Sequence, residues 1–498
     1  MDTPLDTPLT GRIASGPHRL LHDEVLAPQF AFEVEHLLPW YVAIEKVLAV
    51  EYRRMGILTP DQARLIGVAL QGVTADTLTA DPERNMSDIA FAIERQVSSH
   101  LASPVPAWHV DRSRNDLQAC AQVMFARHQL ALTARSLLDF GRAVHRVAAR
   151  HTETVMPGYT HGQAAQIITV GYYLAALSEE MTAASRRLLA TYDEINRCPL
   201  GAGAMAGQEL DWDRGGAAEL LGFEGPQPHA LVSVASRSWA LRITGELSQF
   251  GTVLSRFTTD LIAWGGSEYG FIDLPDAYAG ISSAMPQKKN FPLLERIRGR
   301  TGHLTAFHVD ALTGQRNTAY SNSVEVSKEA GAHILPAFLT ARSTLALATA
   351  VMEQLRFRTD RMSAACARDY YGGFTLANRL TLDEGVPWRT AQVVAGAYIL
   401  AALEQAAAPQ DLRPDLLQRV AKEHGHELGA PEQALAQAFD VPASIRQKRS
   451  SGSTRPAEVR ELLAAQADFW RDTATAWDTR QGRVQDAMTE TDRRLGIA

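Results

Sequence analysis

The chain has 498 residues, 21% charged and 46% hydrophobic, with a net charge of −7. That is room for two or three domains around a large core in an ordinary globular composition; with no basic block, nucleic acid and anionic membrane are excluded as expected partners. The three cysteines, Cys120, Cys198 and Cys366, make no zinc spacing and no disulfide framework, which fits a reducing compartment, and each reads as a small buried apolar residue.

Met1 to Pro8 lack a basic region followed by an apolar core, so no signal peptide is expected. No run of about 18 apolar residues suggests a membrane span, and the expected location is cytoplasmic. Residues 1–29 read as a partly extended arm. From Phe30 to Gln71 apolar residues step by three or four (Val34, Leu37, Leu38, Val42, Ile44, Leu48, Tyr52), a helical pattern. Thr59-Pro60-Asp61 reads as a helix start, with Thr59 as cap and Pro60 in the first turn. Asp88 to Leu101 is a further amphipathic segment, and Ser103-Pro104-Val105-Pro106 marks a boundary.

Beyond it, a polar turn at Arg112-Ser113-Arg114-Asn115-Asp116 opens a long apolar helix from Leu117 to Ala148. Met156-Pro157-Gly158-Tyr159-Thr160-His161 opens the next helix. Gly201 to Gly207 lacks the spacing and the strand of a dinucleotide fingerprint and reads as a tight turn. Leu231 to Leu261 suggests one helix of roughly 30 residues, about 45 Å long. Alternating strand patterns are nearly absent, so the expected fold is all-α, built on a central bundle of long helices. Three helical domains are expected: 1–107, a central long-helix bundle over 108–362 that carries the polar loops, and a C-terminal domain over 363–498.

Within the central part, Gly280-Ile281-Ser282-Ser283-Ala284-Met285-Pro286-Gln287-Lys288-Lys289-Asn290 combines small residues, a proline, two adjacent hydroxyls and two lysines. Small residues and Pro286 argue for a loop; after Pro292 the positions Leu293, Leu294, Ile297, Leu304, Phe307 and Ala311 have helical spacing. A hydroxyl-bearing loop therefore feeds a long helix. The string resembles the Gly-Ser-Ser-x-Met-Pro-x-Lys-x-Asn signature of the fumarase, aspartase and argininosuccinate lyase superfamily. The segments at Arg112–Asp116, Met156–His161 and Gly201–Gly207, with Phe374-Thr375-Leu376-Ala377 and Gly385-Val386-Pro387 near the C-terminus, resemble argininosuccinate lyases in particular. The resemblance runs from about Thr10 to the end.

That resemblance implies a β-elimination that breaks a carbon–nitrogen bond of an N-substituted aspartate and releases fumarate, with no metal or organic cofactor. Removing a proton next to a carboxylate builds a dianionic intermediate that fixed cations and donors must hold. By the family pattern Arg114, Asn115, Thr160, Lys288 and Asn290 grip the carboxylates, with Tyr320 and Lys328 nearby, and Ser113, Arg237 and Glu325 complete the expected substrate contacts. Ser282 matches the catalytic serine on a loop that closes over substrate. His161 matches the family histidine, and Glu295 the carboxylate that orients it. The base and acid roles have been assigned both ways in this superfamily; Ser282 as base and His161 as acid is the preferred assignment. The family pattern also implies a homotetramer whose sites draw segments from three subunits.

Departures from the pattern cluster. The Ser and Asp four residues apart in the first helix become Glu33 and Leu37. Asp-x-His becomes Asp88-Ile89-Ala90, Ser-Asp-Arg-Asp becomes Ala235-Ser236-Arg237-Ser238, the glycine before Arg112 is Asp111, and the Gln and Asp after Tyr320 become Glu325 and Ser327. These segments are expected to line the amine half of the site, while the fumarate half is kept. The expected substrate is an N-succinyl amine other than argininosuccinate. Authentic argininosuccinate cleavage and an inactive, crystallin-like structural role are the alternatives.

Overall fold

A computed structural model describes residues 12–13 and 15–498. It is all-α in architecture, with strands confined to four two-stranded pairings. Residues 1–11 and 14 of the expected N-terminal arm lie outside the described residues. The rest of that arm is not extended: Arg19–Leu21, His22–Leu26 and Ala27–His36 are helical, started by His18, whose Nδ1 accepts from Leu20 N at 3.2 Å. Residues 19–26 bury no side chain, so no apolar period betrayed them.

The Phe30–Gln71 pattern divides into Ala27–His36, Leu38–Arg54 and Pro60–Gln71. The last begins as expected: Thr59 Oγ1 accepts from Gln62 N at 3.2 Å and Gln62 Oε1 accepts from Thr59 N at 2.9 Å, a reciprocal cap. The core is carried by the Arg114–Arg150, Val170–Ile195, Ser238–Gly265, Pro292–Gln315 and Ile334–Gln354 helices. Helix Ile334–Gln354 lies in a stretch long and apolar enough by composition to cross a bilayer; it instead buries Leu335, Phe338, Ala341, Leu345 and Val351 in the bundle.

Two expectations of the central region are corrected. The segment at Met156–His161 opens no helix directly; Val155–Thr160 and Gln163–Thr169 form an antiparallel hairpin first. Its turn, His161-Gly162, has φ of +53° and +73°, the twist that a two-residue hairpin turn requires. The single helix expected over Leu231–Leu261 is broken. Ala230–Ala235 stops at Ser236–Arg237, and Ser238–Gly265 starts afresh. The cause is Arg237, whose Nη1 donates to Val234 O at 2.7 Å and Ser236 O at 3.0 Å and takes over carbonyls that a continuous helix would use.

Beyond residue 362, a second apolar core gathers Leu376, Leu380, Val394, Tyr398, Leu417, Leu435 and Phe439. The last helix, Pro456–Leu495, returns to the main core. Trp470 and Trp477 pack there, the former over Gly141, where an added Cβ would come within 2.4 Å of the indole.

Candidate active site

Ser113 caps the Arg114–Arg150 helix, its Oγ accepting from Asn115 N at 3.2 Å. Asn115 Nδ2 donates to Ala204 O at 3.0 Å. Next to it, buried Asp116 accepts from Gly201 N at 2.9 Å and Gly203 N at 3.0 Å. The glycine-rich segment is thus a turn that clamps this helix start, with Gly201, Gly203 and Gly207 all at positive φ. Burial pushes Asp116 up to about 7, although four backbone N–H groups favour its charged form.

The approach to this turn is strained and held by charge. His109 and Asp111 have φ of +78° and +59°. His109 lies between Glu45, at 2.9 Å, and Glu94, at 3.1 Å, and Arg112 bonds the same two carboxylates. The Asp111 carboxylate accepts from Leu210 N at 2.8 Å, Trp212 Nε1 at 2.9 Å and Glu209 N at 3.0 Å. Burial acts to raise its pKa, but those donors outweigh it and hold the group below the usual range. Asp111, expected to line the amine half, is therefore occupied in bracing the 209–212 segment.

Around the turn the structure collects most of the rewritten positions. Arg114 Nη1 donates to Asp88 Oδ2 at 2.7 Å, and its guanidinium lies over Phe91 at 4.6 Å. Glu33 is buried and ion-paired with Lys328. Burial pushes the Glu33 carboxyl up against the pull of Lys328. Gln122, seven residues beyond Asn115 on the same helix face, accepts from Arg237 Nε at 2.9 Å and donates to Ser327 O at 2.7 Å. Arg237 is 3% exposed, and desolvation lowers its pKa to about 10. Its remaining side-chain contact is Nη2 to Asn322 Oδ1 at 3.1 Å, and Gln315 caps its carbonyl at 3.1 Å. Tyr320 is 62% exposed and shares a shallow groove with Arg237 and Gln315. Glu325, exposed, begins a turn of π-helix, Glu325–Glu329, that aims Lys328 at Glu33.

Between these elements is a cavity of about 290 Å³, lined by Phe32, Glu33, Leu37, Phe125, Arg237, Trp239, Ser327 and Lys328 among others. The departures from the family pattern at Glu33, Leu37 and Ser327 therefore face one space, beside Arg237 of the 235–238 break.

The Ser282 loop is elsewhere. Gly280–Ile281 pairs with Lys289–Asn290, closing a short hairpin loop. Ser282 Oγ accepts from Met285 N at 3.0 Å, and Asn290 Nδ2 donates to Ile281 O at 3.3 Å. The two lysines have different surroundings. Lys289 Nζ is held by Leu274 O at 2.6 Å, Asp276 at 2.9 Å and Asp273 at 3.0 Å, whereas Lys288 is exposed and, among the described residues, hydrogen-bonds and ion-pairs through its side chain with none. Glu295, in the first turn of the Pro292–Gln315 helix, is exposed and likewise unpaired. Thr160 and His161 are exposed at the tip of their hairpin, and no described residue bonds the imidazole.

The long helices set how far apart these groups stand. Gln315 bonds Arg237 at one end of a 24-residue helix whose other end, Pro292, is two residues beyond Asn290, a span of about 36 Å at 1.5 Å per residue. Ser113 and the His161 hairpin flank a 37-residue helix, about 55 Å long. The hairpin and the Ser282 loop lean on the same 269–276 segment, through Tyr159–Tyr269 at 5.8 Å and Lys289–Asp273 at 3.0 Å. One chain thus unites Ser113, Arg114 and Asn115 with the Glu33–Lys328–Arg237 cluster, and holds Ser282, Lys288, Asn290, Glu295, Thr160 and His161 at the other end. His109, Asp116, Gln122 and Lys289 were missed by sequence reasoning. Asp116 and Lys289 had a signal there, as members of the Arg112–Asp116 and Gly280–Asn290 motifs.

A family model described as "Lyase" matches residues 42–305. The argininosuccinate lyase of Synechococcus sp. (strain JA-3-3Ab) is 31% identical over 471 residues, covering 93% of each chain. That of Lachnospira eligens is 30% identical over 415 residues, covering 82% of this chain and 88% of that protein. Among solved structures, EDDS lyase in complex with formate has a TM-score of 0.83 at 25% identity, covering 98% of this chain and 97% of that one. A fumarate lyase from Mesorhizobium sp. BNC1, at 19% identity and TM-score 0.68, shares the fold, covering 88% and 97%. With its signature loops in place and relatives matched over most of their length, the chain belongs to the argininosuccinate lyase family of the fumarase/aspartase superfamily.

Proposed function

We propose that the protein eliminates fumarate from an N-succinyl amine whose amine half is not arginine. The observation that carries this reading is the cavity: the departures from the family pattern at Glu33, Leu37 and Ser327 converge on it beside Arg237, while Ser282, Lys288, Asn290 and the Ser113–Asn115 turn are kept. Ser282 takes the proton from the carbon beside a carboxylate. The carbon–nitrogen bond then breaks with its electron pair going to nitrogen, and His161, oriented by Glu295, protonates the departing amine. Arg114, Asn115, Thr160, Lys288 and Asn290 hold the dianionic charge as it develops. Lys288 suits that role because its ammonium is uncommitted, whereas Lys289 is spent on Asp273 and Asp276.

The separations of about 36 and 55 Å support a site assembled from several copies, since no movement of a loop in one chain unites its halves. A homotetramer, as the family pattern implies, is the proposed assembly, and the cytoplasm the proposed location. The kinship to proteins named argininosuccinate lyase favours arginine as the competing amine, and the likeness to EDDS lyase favours another. Purified protein incubated with argininosuccinate separates them by fumarate absorbance. Negligible turnover, with fumarate released from another N-succinyl amine, is expected; turnover at ordinary enzymatic rates refutes the altered substrate. Absence of fumarate release or addition with every substrate supports a structural role. Light scattering is expected to give four times the 54.4 kDa chain mass.

A further inference from the structure

The cavity between the first helix, the 237–240 segment and the π-turn has a volume of about 290 Å³, roughly twice the ~150 Å³ apolar cavity that accepts benzene. Its wall includes the apolar residues Phe32, Leu37, Phe125, Trp239 and Ile334. Leu37 is 3% exposed, and Phe125 is 4% exposed. Its charged groups are already engaged. Glu33, the buried carboxylate of the wall, is ion-paired with Lys328. Arg237 points each side-chain nitrogen at Gln122, Asn322 or the carbonyls of Val234 and Ser236. Glu24 and Glu329 also border the space, but both are exposed to solvent.

Of these groups only Glu33 and Arg237 are buried, and the one buried carboxylate is committed to Lys328. A guanidinium or ammonium entering the cavity would lose water and find the one buried carboxylate taken. A substituent with no charge loses little by leaving water and gains the apolar contacts.

We propose that the amine half of the substrate carries an uncharged apolar substituent, a branched chain or a ring, seated against Phe32, Leu37, Phe125 and Trp239, with Leu37 as the residue that determines this specificity. The inference rests on the reading of the protein as a fumarate-releasing lyase. Leu37 acts by contact with the substituent; the Glu33–Lys328 pair acts by withholding a carboxylate from a cation. Sites of this kind reject a mismatched polar group more strongly than a mismatched methylene.

The test runs the reaction toward addition. Wild-type enzyme is incubated with fumarate and, separately, L-phenylalanine, L-leucine, benzylamine, L-arginine, L-lysine and L-aspartate, and N-succinyl adducts are quantified by mass. At least tenfold higher initial rates with the apolar amines than with arginine, lysine or aspartate are expected. Equal or faster addition to a cationic or acidic amine overturns the inference and leaves the lyase reading standing. No adduct with any amine, together with no fumarate from argininosuccinate, overturns both. Leu37→Asp is expected to move the arginine-to-phenylalanine rate ratio at least tenfold toward arginine. Leu37→Asn is the second variant, without a buried charge. An unchanged ratio in whichever variant keeps the wild-type melting curve also overturns the assignment.

Discussion

Removing the Glu45 carboxylate should destabilise the protein by about 3 kcal/mol and spoil the turn that carries Ser113. Glu45 is fully buried and bonds both Arg112 and His109, whose side chains are 5% and 7% exposed. Breaking a buried pair by deleting one partner costs about 3–5 kcal/mol. Glu94 remains 3.1 Å from His109 and 3.3 Å from Arg112, so Glu45→Ala falls at the lower end. The network also has a pH signature. Burial alone would lower the His109 pKa, but Glu45 and Glu94 raise it above the ordinary 6.5. Its contribution is therefore complete below 6.5 and lost as pH rises through the higher folded value. Burial raises Glu45 and Glu94, yet Arg112 and His109 leave both below their ordinary 4.5. Their contribution is present above 4.5 and lost as pH falls through the lower folded values. Urea unfolding at fixed protein concentration, followed by tryptophan fluorescence at several pH values, measures this; Trp108 lies 3.9 Å from the His109 ring. Glu45→Ala within about 1 kcal/mol of wild type, or an unchanged alkaline loss in His109→Gln, would refute the account.

Ser282→Ala should lower kcat by roughly 10²–10⁴-fold, the range for a lost proton-transfer group, with an unchanged melting temperature because the hydroxyl's one contact is within its own loop; residual activity near wild type, read by fumarate absorbance, removes Ser282 from the chemistry. Lys288→Met should raise KM and lower kcat/KM, while Lys289→Met, which removes the lysine partner of Asp273 and Asp276, should loosen the loop and show faster amide exchange over 274–290; the reverse pattern reverses the two roles. Asp111→Gly relieves a φ of +59° but deletes a charged acceptor for three N–H donors. Left-handed strain of about 1–2 kcal/mol is outweighed by bonds worth about 1.5–3 kcal/mol each, so a net loss near 2 kcal/mol or more is expected in urea unfolding.

The helical periods of the bundle and the cap at Thr59 were legible because each depends on residues within one or two turns. The break at Ser236–Arg237 was not, because its cause is a guanidinium that reaches Gln122 and Asn322, 115 and 85 residues away. The Val155–Thr169 hairpin hid behind Pro157 and Gly158, although His161-Gly162 beside Ile167 and Ile168 is a usable turn signal. The Ser282, His161 and Ser113 segments could be picked out one by one. That they stand at opposite ends of helices about 36 and 55 Å long could not, because sequence order carries no direction in space. Glu33 and Leu37 read as departures; their meeting with Arg237 and Lys328 around one cavity needed coordinates.

Those distances would also let the proposed change of specificity occur while the chemistry is kept. The cavity depends on the Ala27–His36 helix, the Arg237 break and the π-turn; the Ser282 loop depends on Asp273, Asp276 and the start of the Pro292–Gln315 helix. Sites more than about 7–10 Å apart with no shared partner act independently on stability, so rewriting the cavity leaves the loop of the same chain intact. A double-mutant cycle of Leu37→Asn and Lys289→Met tests this. Their effects on unfolding free energy should add to within about 0.5 kcal/mol. Their effects on kcat/KM should not add, because in the proposed assembly the loop of one subunit and the cavity of another would grip the two halves of one substrate. Coupling in stability without coupling in catalysis would mean that the two regions communicate through the chain, and the division between a conserved succinyl half and a replaceable amine half would fall.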